Sequence, residues 1–106
     1  MDLRERLASL EGFDWDRGNR AKNRFKHGVE PAEAGEAFFS QPLVVQADAG
    51  RSGKEERFQL LGRSAAGRRL FVSFTIRGKL VRVISARDQS RQERRIYEKV
   101  KADPEI

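Results

Sequence analysis

Apolar residues recur at every second position near the middle of the chain: Leu70, Val72, Phe74 and Ile76 share one side of an extended backbone, and Phe71, Ser73 and Thr75 share the other. That alternation predicts a strand over 70–76. Phe58 and Leu60 oppose Arg57, Gln59 and Leu61 in the same way, which predicts a strand over 57–62, and Pro42 introduces another at Leu43, Val44 and Val45. A polar, glycine-containing loop from Asp48 to Lys54 separates these two, and Arg77-Gly78-Lys79 turns the chain into a fourth run, Leu80 to Ile84. This last run is apolar at both parities apart from Arg82, so it is expected inside the sheet and covered on both faces. Short connections in succession predict an antiparallel meander with one greasy face. The other face would gather Arg57, Gln59, Ser73, Thr75 and Arg82.

A period near 3.6 marks the helices. Leu3, Leu7 and Leu10 define a short N-terminal helix stopped by Gly12, followed by an extended piece, Phe13-Asp14-Trp15. Asp16 can cap a helix running to His27 with Gly28 just past its end, and Pro31 opens another whose buried stripe is Ala34, Ala37 and Phe38. These two are expected to form a hairpin. At the other end, Ser90 with Glu93 makes a capping box for a basic helix. Its narrow apolar stripe is Ile96 and Val100 with Tyr97 beside them, and Tyr97 reads as a core residue. The tail from Lys101 is expected to fray. The expectation is therefore an α+β fold of residues 1–106, a single domain with its core over about 13–100: an antiparallel meander of about four strands with N-terminal helices and a C-terminal helix.

Composition narrows what such a domain can do. A net charge of +6 on 106 residues favours a polyanionic partner, either nucleic acid or an acidic protein. With no Cys and one His, thiolate and His-rich metal sites are excluded, and no Walker, GxGxxG, HExxH or GxSxG motif occurs. No metal or cofactor is expected. No apolar run reaches membrane length and the N-terminus lacks a signal-peptide core, so a cytoplasmic protein without membrane contact is expected.

What remains is arginine with a few proton carriers. Such an inventory suits phosphodiester chemistry in RNA, where the 2′-hydroxyl can itself attack and the protein need only position the strand, offset charge on phosphorus and move protons. Arg82, between Val81 and Val83, reads equally as a buried ion pair or an anion site. On the second reading Arg82, Arg87 and Arg63, in or at the ends of the strands, are expected to converge on one phosphate, with Arg57 orienting it. Glu55, beside Glu56, and His27 are the candidates for proton transfer, against readings as a surface carboxylate and a helix-terminal cap. Arg20 and Lys26 on the basic helix before Gly28 are further candidates for phosphate contact, although such a run commonly forms a solvated face.

Several short segments carry a family likeness in order and spacing from Phe13 to Lys99. They include Phe13-Asp14-Trp15-Asp16, Lys26-His27-Gly28-Val29, Leu61-Gly62-Arg63, Gly67-Arg68, and Arg82-Val83-Ile84-Ser85-Ala86-Arg87 followed by Glu93-Arg94-Arg95-Ile96-Tyr97-Glu98. Through them the chain resembles the BrnT toxins, RelE-like ribonucleases of bacterial type II toxin-antitoxin systems. The resemblance implies an endoribonuclease and an antitoxin of the BrnA type. That partner's ribbon-helix-helix domain would be the complex's only contact with DNA. Many similar proteins carry His where this chain has Arg51, so proton transfer would rest here on another group. Two rival readings are a non-catalytic basic module that recognises an acidic or DNA-binding partner, and a housekeeping RNA-binding domain.

Overall fold

The computed structural model describes residues 3–15, 28–48 and 56–102. Eight elements follow in order: α1 (Leu3–Ala8), β1 (Gly12–Phe13), α2 (Pro31–Ala37), β2 (Val44–Ala47), β3 (Phe58–Arg63), β4 (Arg69–Arg77), β5 (Leu80–Asp88) and α3 (Arg91–Ala102). The strands form one sheet in the order β1-β5-β4-β3-β2.

The meander expected from the hairpin signals is present from β2 to β5, each strand antiparallel to the next. The sheet nevertheless has five strands, and it is mixed. Gly12 and Phe13 pair in parallel with Leu80 and Val81, and Asp14 N–H donates to the Val81 carbonyl at 2.7 Å. This strand was legible only as an extended piece, because two residues carry no periodicity and their partner lies far along the chain. By occupying the edge, β1 puts β5 inside the sheet.

β5 runs to Asp88, beyond the expected end at Ile84, since Ser85 to Asp88 pair with Leu70 to Ser73. The register jumps from Ser73–Ser85 to Phe74–Val83, which leaves Ile84 as the extra residue of a bulge. The bulge switches parity, so Val81, Val83 and then Ala86 face the core. Apolar residues at both parities thus do not mean burial of two faces: Ile84 is the bulge residue, and Leu80, at the start of the strand, stays 38% exposed.

One sheet face carries the core. Phe58, Leu60, Val72, Phe74, Val81 and Val83 lie there with Val29, Ala34 and Ala37 from α2 and its lead-in. Small residues let α2 approach closely, and Glu30 N–H donates to Glu33 Oε1 at 3.2 Å to close its first turn, with Pro31 where a missing N–H costs nothing. An aromatic chain, Phe13–Phe38–Phe74–Phe58, runs through this layer with centroids 5.3, 4.9 and 5.5 Å apart. Truncating the fully buried Phe74 to Ala is worth about 3–5 kcal/mol.

α3 lies against the opposite face. Its capping box forms as the sequence predicts, with Glu93 N–H on Ser90 Oγ at 3.2 Å and Ser90 N–H on Glu93 Oε1 at 2.8 Å. Of its expected stripe, Tyr97 is buried and donates its hydroxyl to the Pro42 carbonyl at 2.8 Å, while Ile96 remains 45% exposed. The helix expected to end at His27 lies outside the described residues. Among the described residues no helix is long and apolar enough to cross a membrane.

Candidate functional site

Cross-strand register arranges the face opposite the core into rows. One row is Gln46, Gln59, Ser73 and Ser85, each directly paired with the next. Thr75 stands opposite Arg82 in the neighbouring row, and Arg57 immediately precedes β3, where continuing the Phe58–Phe74 pairing by one residue brings it opposite Thr75. The polar grouping expected from alternation is therefore correct, with Gln46 and Ser85 added. Gln46 could have been found from its parity against Val45; Ser85 could not, because the bulge decides its side.

Thr75 is buried, and its hydroxyl donates to the Glu56 carbonyl at 2.6 Å, which holds the start of β3 against this row. Arg82 is half-buried beside it.

The three arginines expected to meet on one phosphate occupy separate stations. Arg87 faces Phe71, and Phe71 is four residues from Thr75 along β4, about 13 Å at about 3.3 Å per residue. Its guanidinium lies 4.0 Å from the Phe71 ring centre and makes a two-point contact with Glu93 at 2.8 and 3.0 Å. Arg63 sits at the far end of β3, where its Nη2 donates to the Gln41 carbonyl at 3.2 Å. Alternation put Arg82 on this face, and the bulge at Ile84 brings Arg87 to it as well, but β-strand rise separates the arginines and local acceptors claim the guanidinium groups of Arg63 and Arg87. Glu55, His27, Arg20, Lys26 and the Arg51 loop lie outside the described residues.

Local charges set the electrostatics. Hydrogen bonding from Arg87 holds the Glu93 carboxyl below the ordinary range, against the opposing effect of burial and with help from Ser90. A second network surrounds Arg68, absent from the site expected from sequence. It contacts Asp88 at 2.7 and 3.2 Å, Glu33 at 3.3 Å and the Gly28 carbonyl at 3.3 Å, and hydrogen bonding to Asp88 raises its pKa further. Arg68 thereby ties the β3–β4 turn to α2 and the end of β5. Gly67-Arg68 was visible in the sequence, but its partners come from two distant segments, α2 with its lead-in and the end of β5. Among the described residues no three His, Cys, Asp or Glu side chains are grouped as metal ligands would be.

Fold and face together define a small α+β protein that presents a row of amide, hydroxyl and guanidinium groups beside a basic C-terminal helix. The family model for BrnT, the ribonuclease toxin of a type II toxin-antitoxin system, matches residues 15–93, well over half the chain, and the chain belongs to that family. Membership brings an RNA target and an antitoxin partner. Nothing among curated proteins matches the chain significantly.

Proposed function

We propose that this chain is a RelE-like endoribonuclease that cleaves RNA without a metal ion in the cytoplasm, and that a BrnA-type ribbon-helix-helix antitoxin silences it by covering the polar sheet face. The row Arg57–Thr75–Arg82 carries this reading. A guanidinium has five N–H donors, so Arg82 can keep a protein partner and still hold a phosphate oxygen. Arg57 and Arg82 offset the charge that grows on phosphorus as the 2′-hydroxyl attacks and the 5′-oxygen leaves. Glu55 or His27 takes the proton from the attacking hydroxyl, and the departing 5′-oxygen takes a proton from water, leaving a 2′,3′-cyclic phosphate and a 5′-hydroxyl. Arg87 contributes by holding α3 at the edge of the site, and Arg63, Arg20 and Lys26 contact phosphates farther along the strand. The inventory, with no Cys and a single His, argues against thiolate and His-rich metal sites, and metal independence rests on guanidinium groups that can themselves offset the charge on phosphorus.

The test is cleavage of RNA by the purified chain in EDTA, with and without ribosomes, beside Arg82→Ala. Products ending in a cyclic phosphate, lost in the variant, are expected. Absence of cleavage in every arm, or cleavage that returns only with added metal, defeats the proposal.

A further inference from the structure

Between the polar face and the first turns of α3 runs a groove of about 290 Å³. Leu61, Phe71 and Ile96 supply its apolar lining, and the amides of Gln46, Gln59 and Gln92 line it as well. Its size lies at the lower limit of small-molecule sites, which begin at about 300 Å³, and suits one flat ring system. Ile96 is 45% exposed although it was expected in the core stripe, so a ring seated there would remove aliphatic surface from water.

The amides are pre-arranged. Gln46 Nε2 donates to Gln59 Oε1 at 3.2 Å across the β2–β3 pair. That bond leaves the Gln59 amide nitrogen and the Gln46 amide oxygen without a partner among the described residues. Exchanging oxygen and nitrogen in both amides leaves the same complement of one donor and one acceptor. Adenine's exocyclic N6 offers the donor that the glutamine oxygen can accept, and its ring N7 offers the acceptor for the amide nitrogen, the usual pairing with a glutamine amide, whereas guanine's corresponding edge offers two acceptors. Bases of single-stranded RNA are read in this manner, packed on apolar surface and hydrogen-bonded at an edge. The Arg57–Thr75–Arg82 row lies two residues along the strands from Gln59, about 7 Å at about 3.3 Å per residue.

We infer that this groove is the base-recognition pocket of the enzyme, that it takes an adenine of single-stranded RNA, and that Gln46 and Gln59 determine the preference. This rests on the RNA-cleaving reading above, since the base is placed next to the phosphate that would react.

The experiment is fluorescence anisotropy with the purified full chain and uncleavable 2′-O-methyl oligouridine, with or without one central adenine. The wild type should bind the adenine-containing strand about tenfold more tightly. Gln59→Leu and Gln46→Leu should each erase most of that difference while affinity for oligouridine stays the same, and Ile96→Ser should weaken only the adenine-containing complex. Thermal melts establish that the variants fold. Equal wild-type affinity for the two strands, or a preference that survives both glutamine variants, overturns the pocket while leaving the cleavage proposal standing. Failure to bind either strand overturns the RNA reading itself.

Discussion

Arg87 and Glu93 meet at two points, Nη1 to Oε1 at 2.8 Å and Nη2 to Oε2 at 3.0 Å, and the same carboxylate accepts the Ser90 N–H that starts α3. One acidic side chain thus caps the helix and locks it to β5. Because its folded-state pKa lies below the unfolded value of about 4.3, the stabilisation is complete above that pH and fades as pH falls through and below it. Glu93→Gln should cost about 1 kcal/mol at neutral pH, the low end for charged hydrogen bonds since Arg87 is about one-third exposed. Melting curves across pH are the check: the gap to wild type, about 4–8 °C per kcal/mol at this size, should close in acid. A gap that stayed constant with pH would not come from this pair.

Arg68 holds three segments through a planar fork, so its loss should resemble loosening of the fold rather than damage to a site. Arg68→Lys keeps the charge but cannot reach Asp88, Glu33 and the Gly28 carbonyl together. A loss of about 1–2 kcal/mol is expected in denaturant titration, with unchanged RNA cleavage per folded molecule. Full recovery of stability by Lys would mean that charge alone matters there.

Gly62 marks the closest approach of α2's end to the sheet. A Cβ at this position would stand 2.7 Å from the Ala37 carbonyl oxygen and 2.6 Å from Ser40 Oγ. The serine can rotate away, but it would then lose its bond to the Arg63 N–H, and the carbonyl cannot move without the helix end. Gly62→Ala should therefore destabilise by about 1–3 kcal/mol. A variant as stable as wild type would show that the helix end is free to shift.

Substitutions across the polar face should separate phosphate contact from architecture. Arg82→Ala and Arg57→Ala are each expected to slow RNA cleavage by about 100-fold or more. The melting temperature changes little in Arg57→Ala and falls by a few degrees in Arg82→Ala, which also loses the contact the half-buried guanidinium makes within the protein. Arg87→Ala should lower both, because it also frees Glu93. Arg63→Ala should slow cleavage by less than about tenfold, its guanidinium being directed to Gln41 at the far end of β3. Initial rates on a single-stranded RNA, read beside thermal melts, give the ranking, and a wild-type rate for Arg82→Ala would remove the row from the mechanism.

Alternation alone was enough to identify the four strands of the meander, the inward residues of β3 and β4 and most of the polar set on the other side, because side-chain direction along a regular strand is a local property of the backbone. Ser90 and Glu93 announced the start of α3 for the same reason: a capping box spans three residues. The family likeness was also legible as segments in order. Pairings between distant residues were beyond that reading. The parallel β1, the bulge at Ile84, and Arg68's contacts with Asp88, Glu33 and Gly28 arise only when segments far apart in the chain are brought together. So does the separation of the arginines: sequence assigned a face to Arg57 and Arg82 and left Arg63 and Arg87 at strand ends, and the bulge, strand rise and nearest acceptor decide where each guanidinium ends up. Those distances are what make Arg57, Thr75 and Arg82 neighbours and give Arg87 to Glu93.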